Sequence, residues 1–124
     1  MAAELKLKPL AIAVMDAGGH LIAYQRQDGA SIGRFQIASG KAAGALFLGM
    51  SSRTIAEMAA ERPAFIASAS TLAPQGLVPA AGGVIIVDDA GTVIGAVGIS
   101  GDTSENDEAC VLAGIAKSAL RAKA

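Results

Sequence analysis

The sequence has no tryptophan, one tyrosine, three phenylalanines, one cysteine and one histidine among 124 residues. Each shortage excludes something. A lone cysteine, Cys110, cannot close an intrachain disulfide and fits a reducing compartment. A lone histidine with no cysteine or carboxylate cluster beside it cannot build a closed zinc site from protein ligands. Neither sign of charge dominates: 10 basic residues stand against 11 acidic ones, and the basic ones are scattered. Such a chain offers no surface for nucleic acid or membrane. No apolar run is long enough to cross a bilayer, and the run after Lys6 and Lys8 breaks at Asp16, too soon for the core of a signal peptide. The expectation is a cytoplasmic protein of one domain, residues 1–124, large enough for a core and small enough to favour association. With 52% hydrophobic residues but 3% aromatic, alanine and glycine carry much of the apolar content. Close backbone packing must stand in for bulky side chains.

What is present is a near-repeat. `IAVMDAGGHLIAYQ`, from Ile12, and `IIVDDAGTVIGAVG`, from Ile85, match at Ile, Val, Asp, Ala, Gly and a later Ala, an alignment that pairs Asp16 with Asp89. Each is an apolar run, an Asp-Ala-Gly turn and a second apolar run, which predicts two β-hairpins in one antiparallel sheet. Between them, `RFQIASGKAAGALFL` at 34–48 places Phe35, Ala38, Ala42 and Ala45 at helical spacing. Ser51 or Ser52 can cap a second helix to about Glu61, which Pro63 ends or kinks. Residues 71–83 hold Pro74, Gly76, Pro79, Gly82 and Gly83 and read as an irregular loop. A final helix follows, capped by Thr103 or Ser104, with Glu105, Asp107 and Glu108 at its positive end and Lys117, Arg121 and Lys123 at the other. Leu112, Ile115, Ala116, Ala119 and Leu120 are its expected buried stripe. The sum is an α+β domain, an antiparallel sheet with helices covering one or both faces.

His20 heads the candidates for chemistry. Alternation sets His20, Ile22, Tyr24 and Arg26 on one face of its strand, and a neutral imidazole there can be an axial ligand to a tetrapyrrole metal, whose macrocycle already fills four positions. It reads equally as a strand-end residue near solvent. Lys41 shares a helix face with Ile37 and Ala45; it either snorkels to water or faces a pocket and pairs with a carboxylate or propionate, flanked by Gly40 and Gly44. Gly82 and Gly83 can offer backbone N–H groups to an anion or serve as a tight entry to the second hairpin. Ser51, Ser52 and Ser100 lack a visible triad partner. Cys110 and the methionines Met15, Met50 and Met58 read as packing residues.

With these residues placed, the chain resembles the GlcG/HbpS-like family, also called the haem-degrading domain family. The matching stretches are `AIAVMDAGGHLIAYQRQDGA`, `ASGKAAGALFLG`, `GLVPAAGGVIIVDDAGTVIGAVGISG` and `TSENDEA`. The resemblance implies a profilin-like arrangement, an antiparallel sheet flanked by α-helices, and homo-oligomers. It implies a small-molecule ligand that is haem or a corrinoid, with His20 at the axial position, Lys41 near an anionic group and Gly82 and Gly83 lining the pocket. One departure is expected to matter: only `MAAELKLK` precedes Pro9, where family members carry a full helix. A shortened N-terminal helix would leave apolar surface exposed and favour association. The competing reading is an enzyme or accessory subunit acting on a small carboxylate or carbonyl compound, with Lys41 as anchor or base and Asp107 or His20 moving a proton.

Overall fold

The computed structural model describes residues 7–123. The expected stub of a first helix falls largely on residues 1–6, outside the described residues, and residues 7–10 have no regular structure. Both hairpins form. The first is β1 (Ala11–Asp16) with β2 (Leu21–Arg26), and the second is β3 (Gly83–Val87) with β4 (Val93–Ser100). They join in one antiparallel sheet ordered β2-β1-β4-β3-β5, in which β5 is Arg121–Ala122. The helices are α1 (Arg34–Leu48), α2 (Ser52–Glu61), α3 (Pro63–Leu72) and α4 (Ser104–Ala116). This is the α+β arrangement read from the sequence.

The two hairpins share one turn, but not in the register of the sequence match. Asp16 Oδ1 accepts the N–H groups of Gly18 (2.9 Å) and His20 (3.0 Å). Asp88 Oδ1 accepts those of Ala90 and Thr92, both at 2.9 Å. Gly19 and Gly91 take the same left-handed conformation, at φ 83° and 84°. Asp16 therefore corresponds to Asp88 rather than Asp89, and His20 to Thr92. A side-chain oxygen that captures two N–H groups fixes the turn, whatever the neighbouring apolar residues match.

Alanine and glycine do the close packing that the composition demands. Ala38, Ala42 and Ala45 of α1 are fully buried against the sheet. Beneath the helix, a Cβ at Gly98 would run into the Ala38 carbonyl, and one at Gly83 into the Lys41 carbonyl. On this face α1 packs over Ala11, Ala13, Met15, Ile85, Val87 and Ala96. On the opposite face Val111 and Ile115 of α4 join Leu10, Val84, Ile86 and Ile99. A third apolar cluster, Ile55, Ile66, Ala69, Ala73 and Leu77, holds α2 and α3 to the loop that follows them.

α2 ends at Glu61 as Pro63 implied, and Pro63 also stands at the first position of α3, where its missing N–H is no loss. Three expectations are corrected. The last helix stops at Ala116, because Ser118 Oγ donates to the Ile115 carbonyl (2.7 Å) and accepts the Leu120 N–H (3.0 Å). Arg121 then enters β5 against β3, so neither it nor Lys123 complements the helix dipole. The buried stripe is Asp107, Val111 and Ile115, while Leu112 and Leu120 are 43% and 44% exposed and Ala116 and Ala119 are exposed too. Finally, a bulge at Ile22 breaks the alternation of β2: Leu21 pairs with Met15 and Tyr24 with Ala13, so Leu21 and Tyr24 share the α1 side.

Candidate functional site

A cleft of about 330 Å³ opens between the first turn, the end of α1 and the loop after α3. Ala17–His20 form one wall, Ala43, Leu46 and Phe47 a second, and Ala73–Gly76 the third. Small residues bring the loop in. A Cβ at Gly40 would sit 2.8 Å from Val78 Cγ2, and one at Gly44 3.2 Å from Leu77 Cδ2. What approaches the two glycines is thus the chain's own loop, and Gln75 Nε2 reaches across the cleft to the Gly19 carbonyl at 3.5 Å.

His20 stands at the rim with its side chain 81% exposed. Its Nδ1 lies 3.3 Å from Asp16 Oδ1, the same oxygen that holds the turn. Gly18 makes room for this pose, since a Cβ there would meet His20 Nδ1 and Cε1 at 3.0 Å. The Asp16 carboxyl is held below its ordinary value chiefly by the His20 backbone N–H, with the Gly18 N–H and the imidazole adding to it against some desolvation. A carboxylate beside Nδ1 favours the tautomer that leaves the Nε2 lone pair outward, as in metal-ligating histidines. Sequence reading found His20 but missed Asp16 and Gly18. The signal was there: against the second turn, Gly18 stands for Ala90 and His20 for Thr92.

Lys41, Gly82 and Gly83 lie together but elsewhere. Lys41 is 3% exposed, and its Nζ donates to the Ile99 carbonyl (3.0 Å) and to Asp107 Oδ2 (3.2 Å). It neither snorkels nor lines the His20 cleft. Burial pushes its ammonium group below the ordinary lysine range, and the Asp107 carboxylate opposes that shift. Gly82, at φ 128°, would place a Cβ 2.8 Å from Lys41 Nζ, and the Gly83 N–H is taken by Ser52 Oγ at 2.7 Å. The Gly82 carbonyl accepts the Ile99 N–H at 3.0 Å, and both glycines serve the close approach of the β3 end to α1.

The remaining candidates have structural partners. Ser51 caps α2, and Ser100 Oγ accepts from Arg34 Nη1 at 3.0 Å. Glu108 takes a forked contact from Arg53, with oxygens 2.7–3.0 Å from the guanidinium nitrogens, while Glu105 stands in the first turn of α4. Asp107 is 1% exposed, so neither it nor Lys41 is open to a substrate. Met15 lies in the core, Met50 and Met58 edge the third cluster, and burial raises the Cys110 thiol. Among the described residues no three His, Cys, Asp or Glu side chains converge, and no helix is long and apolar enough to cross a membrane.

The profile of the HbpS-like family, described as haem-degrading proteins, matches residues 1–116. The chain belongs to the HbpS-like family. Among solved structures, this HbpS-like chain is similar to PduOC in complex with haem, at TM-score 0.86 and 24% identity over 99% of the chain and 87% of PduOC. It is also similar to HbpS, at TM-score 0.77 and 25% identity over 93% and 77% of the two chains. ORFY of Klebsiella pneumoniae gives TM-score 0.75 and 29% identity, covering 87% of this chain and 72% of ORFY. No functionally curated protein matches this HbpS-like chain.

Proposed function

We propose that this chain binds haem, or a related tetrapyrrole such as a corrinoid, with His20 Nε2 as axial ligand above the cleft. The carrying observation is the pose of His20: Nδ1 is engaged by Asp16 at 3.3 Å, while the ring is otherwise exposed at a largely apolar cleft. The residues present fit the group. Ala43, Leu46, Phe47, Ala73 and Pro74 offer a wall for a flat macrocycle, and one imidazole is the whole ligand set that such a macrocycle asks of one side. No lysine or arginine lines the cleft, so its lining offers no cation to acidic side groups of the macrocycle. The haem named in the PduOC complex and the family description support the choice of ligand.

Bound haem supplies an iron centre whose redox and ligand chemistry the axial group tunes. The chain's own part is to hold and orient. Asp16 orients the ring, Gly18 leaves space for it, and the Gln75 bridge ties the loop to the turn. Binding by a homo-oligomer is part of this reading, because the cleft is open on one side.

The test is a haemin titration of wild type and His20→Ala, followed in the Soret region. Saturable binding with an axial-imidazole spectrum is expected for wild type, and loss of that spectrum in the variant. Weak, non-saturating binding that is identical in both removes haem as the ligand. A parallel cobalamin titration separates the corrinoid.

A further inference from the structure

We propose that the outer edge of β2 is where two copies of this chain join, and that the join brings Arg26 of the second copy to the mouth of the first copy's His20 cleft. The second part rests on the haem reading; the first does not.

The two edges of the sheet are managed differently. β5 is two residues long and gives a partner strand little to pair with. β2 has six residues, carries no proline or lysine, and its only charge is Arg26. Such an edge is a template for another strand unless something blunts it. The bulge at Ile22 blunts only its beginning.

The register shows which groups are free. Gln27 N–H donates to the Leu10 carbonyl, and Ile12 pairs with Gln25 and Val14 with Ala23. Hydrogen-bonded and free positions alternate in an antiparallel ladder, so Tyr24 and Arg26 turn their backbone N–H and C=O groups outward. Beside them Leu21 and Ile22 are 46% and 64% exposed. Free backbone groups flanked by apolar side chains fit an apolar β-strand as occupant, and β2 itself is one.

Charge selects that occupant and its direction. The His20 end of β2 carries the Asp16 carboxylate, 44% exposed, and no basic residue lines the cleft. The other end carries Arg26, which makes no ion pair with any described residue. Two copies of β2 running antiparallel about a two-fold axis put each arginine at the partner's acidic end, once on each side. With the axis at Ala23 or at Tyr24, Arg26 of the second copy comes opposite His20 or Ile22. The join thus supplies the positive charge that an anionic macrocycle lacks in a single copy.

The test is sedimentation velocity of the haemin-free protein: wild type, Ile22→Lys, Arg26→Glu, and Leu112→Lys as a control on the exposed side of α4. Circular dichroism confirms that each is folded. The expected result is a two-fold assembly in wild type and in Leu112→Lys, and an assembly half that size in both edge variants. A monomeric wild type, or edge variants that assemble like wild type, overturns the proposal. In a haemin titration Arg26→Glu is expected to keep the axial-imidazole spectrum but bind about tenfold more weakly, the size of one lost charge-assisted contact. An edge-dependent dimer that does not bind haemin sinks the haem reading and leaves the interface standing.

Discussion

At the scale of single residues, the turn that carries His20 is an ordinary hairpin turn with two substitutions. The second turn shows what the fold requires: Asp88, a small residue at Ala90, Gly91 in the left-handed conformation, then a strand residue, Thr92. The first turn keeps Asp16 and Gly19 and changes the other two to Gly18 and His20. Gly18 does not have a positive φ, so glycine is not there for the backbone; it is there for the ring. Gly18→Ala is therefore expected to leave the unfolding free energy, from urea titration, within about 0.5 kcal/mol of wild type. It is expected to weaken haemin binding, because the added Cβ would sit 3.0 Å from two ring atoms and displace the imidazole from Asp16. Equal haemin titrations for the two proteins would show that the ring pose has no part in ligation. A lone histidine after a glycine pair was legible in the sequence; the reason for the first glycine was not. The apolar match set Asp16 against Asp89, which hid the comparison with Ala90.

At the scale of elements, legibility follows the range of the forces involved. The hairpins and α1 were readable because turn chemistry and helical spacing are local. The start of α4 was readable too: Thr103 Oγ1 accepts the Asn106 N–H at 3.2 Å, as its place before an acidic turn implied. Its end was not, since Ser118 competes for the Ile115 carbonyl and β5 draws the chain to β3. The acid sensitivity of this element follows from Asp102, just ahead of the cap. Asp102 accepts from the Asn106 amide at 2.7 Å and from the Lys8 N–H at 3.0 Å. These bonds, Asn106 first, lower its carboxyl from 3.8 to about 2. A carboxyl depressed in the folded state contributes stability that is present above its unfolded value and lost as pH falls through the folded one. Between about pH 4 and pH 2 wild type is expected to lose more stability than Asp102→Asn, by urea unfolding at each pH, with the two curves converging at the acid end. Parallel curves would mean that the carboxylate does not tie Lys8 and Asn106 to the helix in solution.

At the scale of the whole molecule, a buried ion pair spans the layers. Lys41 belongs to α1 on one face of the sheet and Asp107 to α4 on the other, and they meet at 3.2 Å beside the Ile99 carbonyl and Gly82. The sequence held both residues but separated them by 66 positions, so nothing local could decide whether Lys41 faced water, a ligand or a carboxylate. Asp107 Oδ1 also accepts the Asp102 N–H at 3.0 Å, which fastens the start of α4 to the same point. Breaking a buried pair from one side strands a charge and typically costs about 3–5 kcal/mol, whereas replacing both partners by apolar groups is often neutral. Lys41→Met, which leaves the Asp107 carboxylate without its cation, is expected to fall in that range. Asp107→Leu is expected to be milder at high pH, because a lysine whose proton is already weakened by burial can shed it, and the loss should shrink as pH rises. The double variant is expected to recover most of the stability, which urea unfolding of the four proteins measures as a large coupling term. If the two single losses simply add, the pair is not the fastening between the layers, and the glycine floor under α1 holds them together by packing alone.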